Sequence, residues 1–207
     1  MSRKWWLLLL LACLLTVAVP AAAQETRPLI IDTDMVTDDW MAILLILNDP
    51  TLSVKAITVT GTGFAYCDTG VQVALGLLAL TGYGDVPVSC WTEKPLLGDN
   101  APPAEWRTDM AAAEALGLPA GGEPSELNAV ELFTTTLENS TEKMMVLALG
   151  PLTNVGAALD ANPALVDKIE MIYVMGGAVD VPGSGVTDEN TTAEWNIYCD
   201  PHAARLT

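Results

Sequence analysis

The sequence predicts an α/β fold in which an open, mostly parallel sheet carries helices on both faces. The main observation is that short apolar runs, typical of buried strands, alternate with longer segments of helical periodicity. The chain of 207 residues is also long enough for one domain with a sizeable core. The predicted strands cover residues 28–32, 53–60, 86–90, 144–149 and 169–175. The predicted helices cover residues 38–48, 69–82, 126–139 and 152–161.

Two regions depart from this alternation. Residues 92–124 hold a Gly121-Gly122 pair and several prolines, so we expect a loop around a short helix near residues 104–116. Near the end, Asp200 precedes Pro201, a pair typical of a helix cap followed by the first helical position. A sheet protein rarely stops at the first turns of a helix, so we expect either a domain that is incomplete at its C-terminus or a last helix that lies exposed.

Residues 1–23 have the pattern of a secretory signal peptide. Arg3 and Lys4 precede an apolar run from Trp5 to Val19, and small residues lead to Gln24. The run is short for a bilayer core about 30 Å thick, so we expect no stable membrane anchor. The sequence predicts an exported protein, periplasmic or extracellular, whose domain covers residues 24–207.

The charge restricts the class of partner. Cleavage before Gln24 removes two basic residues and no acid, so the formal charge changes from −17 to −19. Nucleic-acid polymers and anionic membrane surfaces would be repelled by such a protein, whereas a neutral small molecule would not. The sequence leaves a homo-oligomer open.

Three cysteines follow the signal peptide: Cys67, Cys90 and Cys199. Export permits disulfides, and the odd number leaves at least one thiol unpaired within the chain. Cys67 and Cys90 each fall near a predicted strand end, so a bridge between them and three buried thiols stay as equal alternatives.

Four carboxylates within eight positions form the most informative motif. Asp32, Asp34, Asp38 and Asp39 lie in the segment IIDTDMVTDDWMAI, directly after an apolar run. Strand alternation would point Asp32 or Asp34 inward, and Asp38 can cap the helix that follows. Crowded carboxylates repel one another, so the cluster predicts a bound cation or polyol at a strand-to-helix turn, where open α/β sheets bind ligands.

Two further segments fall at predicted strand ends. Leu149-Gly150-Pro151 turns from a strand into a helix, and a backbone carbonyl there could ligate a calcium ion. Glu194 and Asn196 follow a polar loop at 183–193, and in an extended backbone they would point to the same side. They would offer an acceptor and an amide to adjacent hydroxyl groups.

Five segments together resemble the inosine-uridine-preferring nucleoside hydrolases, in the same order and with similar spacing. They are IIDTDMVTDDWMAI, AITVTGTG, LALGPLTNVGAAL, IYVMGGAV and AEWNIYCDPHAA. The resemblance covers about residues 28–207. It implies an open α/β fold that hydrolyses the N-glycosidic bond of small-molecule ribonucleosides with Ca²⁺ as cofactor.

The resemblance also implies roles for particular residues. Asp34 would ligate calcium and act as general base toward a calcium-bound water, while Asp39 and the Leu149 carbonyl would complete the metal ligands found in this chain. The implied ribose-binding residues are Asp38, Thr62, Met175, Ser184, Glu194 and Asn196.

Three departures from the family pattern affect these expectations. Thr62 and Ser184 stand where many members carry Asn, so the sugar contacts could differ. The family also uses a later His for the leaving base and a later Asp for the metal, and both positions lie beyond Thr207.

The sequence leaves two alternative functions open. Asp32-Thr33-Asp34-Met35-Val36 also fits the motif of haloacid-dehalogenase-like phosphatases, in which Asp32 would be the nucleophile and magnesium the cofactor. The other alternative is a secreted module that binds calcium and ribose without turnover.

Overall fold

The computed structural model describes residues 26–111, 117–183 and 190–207. Its strands are β1 (Arg27–Thr33), β2 (Leu52–Val59), β3 (Val88–Cys90), β4 (Met144–Ala148) and β5 (Ile169–Val174). Its α-helices are α1 (Thr37–Leu47), α2 (Cys67–Thr81), α3 (Ala104–Ala111), α4 (Ala129–Glu138), α5 (Thr153–Ala161), α6 (Trp195–Cys199) and α7 (Pro201–Leu206). A 3₁₀ helix, Pro163–Lys168, precedes β5.

The described strands form one open parallel sheet in the order β3-β2-β1-β4-β5. Strand β1 is central, and its last residues pair with β2 on one side and β4 on the other. Asp32 lies beside Thr58 of β2 and beside Ala148 of β4. Because all strands run the same way, their carboxyl ends meet at one edge of the sheet.

Alternation along β1 divides the core into two layers. Leu29 and Ile31 pack with the buried side chains of α1 and α2 on one face of the sheet. Ile30 points to the other face and packs with those of α4, α5 and α7. The structure therefore confirms an open α/β fold with helices on both faces.

The predicted strands and helices are all present, and their boundaries agree to within three residues wherever the structure describes them. Helix α3 begins at Ala104 as expected, while residues 112–116 of its predicted extent lie outside the described residues. The predicted cap of α1 is wrong. The N-cap is Val36, which makes no side-chain cap bond, and Asp38 lies in the first turn. There Asp38 is favoured by the positive end of the helix dipole.

Asp200 caps α7 as the sequence predicts. Its Oδ1 accepts the backbone N–H of Ala203 at 2.9 Å, and Pro201 occupies the first helical position. This cap fixes the turn between α6 and α7.

Cys67 and Cys90 form a disulfide, which decides between the two cysteine alternatives. The bond joins the start of α2 to the end of β3. Cys199 is a free, buried thiol in α6, and burial is the main reason why its pKa is raised to about 12.

The predicted signal peptide lies outside the described residues. Within the part of the chain that the structure describes, no helix is both long and apolar enough to cross a bilayer.

We expect one protected thiol in protein that begins at Gln24. Cys199 should resist alkylation at pH 8 in the native state, because it is 1% exposed and its thiol carries a raised pKa. Labelling with iodoacetamide, followed by mass spectrometry, should give no adduct in native protein and one in urea. A second adduct in urea without reductant would contradict the disulfide.

Candidate active site at the carboxyl edge of the sheet

The chain reverses direction sharply where β1 ends. Met35 adopts a left-handed conformation with φ of 59°, which is costly for a residue with a side chain. Thr33 stabilises the reversal, since its hydroxyl oxygen accepts the Met35 N–H at 2.9 Å while its O–H donates to Asp39 Oδ2 at 2.5 Å. The turn thereby brings Asp39, from the first turn of α1, back beside the end of β1.

Asp34 lies at the centre of this turn and is 2% exposed. Its Oδ2 accepts the backbone N–H of Phe64 at 2.9 Å, from the loop that follows β2. Its Oδ1 is buried and receives no hydrogen bond from the described residues. An ionised carboxylate with one bare buried oxygen is costly unless a proton or a cation reaches it.

The pKa values of Asp34 and Asp39 depend on each other. Burial and the nearby Asp39 charge raise the pKa of Asp34 well above its usual range. Burial also raises the pKa of Asp39, although hydrogen bonds to Thr33 and Asp34 partly oppose that shift. Repulsion between the two carboxylates, together with burial, therefore disfavours ionising both groups when no cation is present.

Asp32 is also buried, but its environment is different. Its Oδ1 accepts hydrogen bonds from Thr58 Oγ1 at 2.6 Å and from Asn154 Nδ2 at 2.8 Å. Burial raises its pKa to about 7 despite these two donors. Asp32 thus links β1, β2 and α5, and it does not line the cavity described next.

A cavity of about 190 Å³ opens over the Asp34–Asp39 pair. It is lined by Asp34, Val36, Asp38, Asp39, Phe64, Leu149, Met175, Glu194, Trp195 and Asn196. A larger depression of about 800 Å³ lies at the amino edge of the sheet, around Arg27 and Lys55. We assign the site to the smaller cavity, because it holds the buried acids and lies at the carboxyl edge, where α/β folds bind ligands.

Glu194 and Asn196 both reach the cavity. Glu194 has the predicted extended backbone, but the prediction is wrong for Asn196, which is helical. Glu194 is the N-cap of α6, and its carboxylate accepts the N–H groups of Asn196 at 3.0 Å and Ile197 at 3.2 Å. Asn196 lies in the first turn and donates through Nδ2 to the Leu149 carbonyl at 2.7 Å and to the Met175 carbonyl at 3.0 Å. The helix cap orients both side chains, which are 7% and 8% exposed.

The other residues predicted to bind ribose differ in their position relative to the cavity. Asp38 is exposed at the cavity mouth, and Met175 lines the wall with about half of its surface exposed. Thr62 is 1% exposed and is not among the lining residues. Ser184 lies outside the described residues.

The donors at the cavity fit a hard cation such as calcium. Two carboxylates and the Leu149 carbonyl offer only oxygen atoms, which calcium prefers, and the bare Asp34 Oδ1 needs a positive partner. No group of three or more His, Cys, Asp or Glu side chains suited to a metal occurs within the described ranges. Calcium takes about 6–8 oxygen ligands, so these three atoms would form only part of a ligand shell.

The sequence did not predict the contribution of Gly63. A Cβ built at Gly63 would collide with the Asp34 carboxylate, so only glycine lets the loop after β2 approach closely enough for the Phe64 N–H to bind Asp34. Gly150 is similar, since its Cβ would lie 2.7 Å from the Asp34 nitrogen. The spacing of Gly61 and Gly63 directly after a strand was the available signal, because such glycines mark close backbone approach.

Comparison with known proteins agrees with this geometry. The family model of inosine-uridine preferring nucleoside hydrolases matches residues 29–207. The chain belongs to this nucleoside hydrolase family. The match decides against the phosphatase alternative.

Individual relatives extend the comparison. The pyrimidine-specific ribonucleoside hydrolase RihA of Citrobacter koseri is 38% identical over 183 residues, a match that covers 86% of this chain and 55% of that protein. A plant nucleoside hydrolase, PpNRh1, superposes with a TM-score of 0.76 at 32% identity, covering 88% of this chain and 56% of the other. The Bacillus anthracis inosine-uridine preferring enzyme shares the fold, with a TM-score of 0.80 at 24% identity, covering 87% of this chain and 61% of the other. The chain thus spans little more than half the length of these nucleoside hydrolases.

We expect Gly63→Ala to disturb the candidate active site by steric means. The new methyl group must displace the Asp34 carboxylate, so unfolding in urea should show a loss of about 1–3 kcal/mol. Gly84→Ala is a matched control, because its Cβ would meet nothing within 4 Å, and its effect should stay within about 0.5 kcal/mol. Equal effects of the two substitutions would contradict the close approach at Gly63.

Proposed function

We propose that the protein containing this chain hydrolyses the N-glycosidic bond of ribonucleosides and releases free base and ribose. The observation that carries the proposal is the buried Asp34–Asp39 pair, with one bare carboxylate oxygen, at the floor of a cavity on the carboxyl edge of a nucleoside hydrolase fold. Such strongly shifted carboxyls in a cleft are typical of functional sites.

Calcium is the proposed cofactor. Asp34, Asp39 and the Leu149 carbonyl would hold it from this chain, and when bound it would position the attacking water and lower the pKa of that water. A divalent cation would also favour the ionised forms of both carboxyls and offset the repulsion between them. Asp34 would then be a free carboxylate in contact with the cavity.

Asp34 is the proposed general base. Its carboxylate would accept a proton from water as the water oxygen attacks C1′ of the sugar, while the C1′–N bond breaks and the base leaves with the bonding electron pair, to be protonated by solvent or by a group beyond Thr207. The Phe64 N–H donates to Oδ2 at 2.9 Å and so fixes the orientation of the carboxylate. The fixed geometry reduces the entropy cost of proton transfer.

The sugar would lie over the same edge. Asp38 at the mouth, Glu194 and Asn196 present carboxylate and amide groups that suit ribose hydroxyls, and Met175 adds an apolar wall. The cavity over the two acids is small, about 190 Å³, so we propose that these residues bind the sugar and that the base extends outward from the acids.

The direct test is release of base and ribose from inosine and uridine by the protein that contains this chain. Asp34→Ala should lower kcat by about 10²–10⁴-fold, because it removes the positioned base, and loss of a metal ligand should add to that. Asp38→Asn should chiefly raise KM, since a hydroxyl contact acts in ground and transition states alike. Asp85→Ala, an exposed acid in the turn after α2, serves as the control.

A chelator should abolish activity, and added calcium should restore it. Chelator-insensitive hydrolysis, or an Asp34→Ala variant with near-normal kcat, would contradict the mechanism. Binding of a ribonucleoside with calcium but without release of base would favour the non-catalytic module instead.

We also propose that the protein is exported and that the mature chain begins at Gln24. The support is the basic start, the apolar run and the small residues before Gln24. N-terminal sequencing of secreted material should find Gln24 first. A membrane-retained product that begins with Met1 would contradict this proposal.

A further inference from the structure

Thr62 has a buried environment that a sugar-binding residue would not need. Its Oγ1 lies 2.9 Å from Thr60 Oγ1 and 2.8 Å from Thr153 Oγ1, and the residue is 1% exposed and does not line the cavity. Thr153 in turn donates to Asp200 Oδ2 at 2.9 Å. Four side chains thus form a continuous hydroxyl chain: Thr60, Thr62, Thr153 and Asp200.

The protons in this hydroxyl chain have one consistent order. Each threonine hydroxyl carries a single proton, and Thr153 gives its proton to Asp200. The bond between Thr62 and Thr153 must then use the Thr62 proton, and the bond between Thr60 and Thr62 must use the Thr60 proton. Thr62 therefore has no proton left for a ribose hydroxyl.

The hydroxyl chain connects three segments that build the proposed site. Thr62 belongs to the loop whose Phe64 N–H binds Asp34, and Thr153 begins α5 shortly after the Leu149 carbonyl. Asp200 joins α7 to α6, the helix whose Asn196 amide binds that carbonyl. The Leu96 N–H also donates to Asp200 Oδ2 at 2.8 Å, which ties the long loop after β3 to the same point.

We propose that Thr62 is a positioning residue that sets the calcium affinity of the site, and that it is not a sugar ligand. Through Thr153 and Asp200 it fixes the positions of the Phe64 loop, the Leu149 carbonyl and α6 relative to one another around the cavity. Calcium affinity follows the placement of its oxygen ligands, so a shift in these segments weakens binding without removing a ligand. The proposal rests on the proposed function only in taking calcium as the ion.

The first experiment tests the hydroxyl chain itself, in metal-free protein, by urea unfolding. Thr62→Val keeps the side-chain shape but leaves buried partners without a bond, so the unfolding constant should rise about 5- to 100-fold. Thr62→Ser keeps the hydroxyl and should recover much of that loss. In the double variant, Thr62→Val with Thr153→Val, the unfolding constant should also rise. The factor should be at least about threefold smaller than the product of the factors for the two single variants, because both substitutions break the same bond.

The second experiment measures the calcium dissociation constant by calorimetry, at a temperature where every variant is folded. Thr62→Val should raise it about tenfold, while Thr62→Ser stays near the unchanged protein. Ser89→Ala is the matched control. Its hydroxyl is also buried but lacks a hydrogen-bond partner among the described residues, so its calcium affinity should not change.

Two outcomes would overturn the proposal. Independent effects of Thr62→Val and Thr153→Val would show that the hydroxyl chain does not couple these segments. Unchanged calcium affinity in Thr62→Val, together with weaker binding of ribose, would assign Thr62 to the sugar. Absence of calcium binding in the unchanged protein would instead contradict the proposed function, and the urea experiment would still decide whether the hydroxyl chain is coupled.

Discussion

Two carboxyl groups are buried side by side at the end of the central strand, and the surrounding structure is arranged around this costly contact. Asp34 and Asp39 repel each other when both are ionised, and water cannot screen the repulsion. The Thr33 hydroxyl and the Phe64 N–H offset part of the cost, and Gly63 is small enough to let the second donor approach. One oxygen of Asp34 remains bare, and it is this oxygen that a cation would satisfy.

The open parallel sheet makes this arrangement available. The carboxyl ends of β1, β2 and β4 lie together at this edge. Asp34, which follows β1, therefore receives the Phe64 N–H from the loop after β2, and Leu149, at the end of β4, lines the same cavity. Both faces of β1 are covered, so the turn is anchored in two apolar layers and cannot easily relax. The left-handed backbone of Met35 persists because these contacts over-determine it.

Much of the fold and of the candidate site could be predicted from the sequence, because strand patterns and acid clusters are local signals. Apolar runs predict the strands, and the four clustered acids predict the edge of the sheet that holds the acid-lined cavity. Asn196 was placed in an extended backbone, because side-chain alternation does not reveal that Glu194 caps a short helix. The Thr62 hydroxyl bonds to Thr153, which lies 91 positions away, and no spacing rule predicts that contact. Such contacts arise only when the sheet brings distant strand ends together.

Calorimetric titration of this chain with calcium tests the central claim most directly, because it asks whether the buried acid pair is a cation site. The account predicts binding that is lost or weakened at least about tenfold in Asp39→Asn, which keeps an acceptor for the Thr33 hydroxyl but removes a ligand charge. Asp85→Asn, at an exposed acid outside the cavity, should bind calcium as the unchanged chain does. Equal calcium affinity in Asp39→Asn and the unchanged chain would contradict the account.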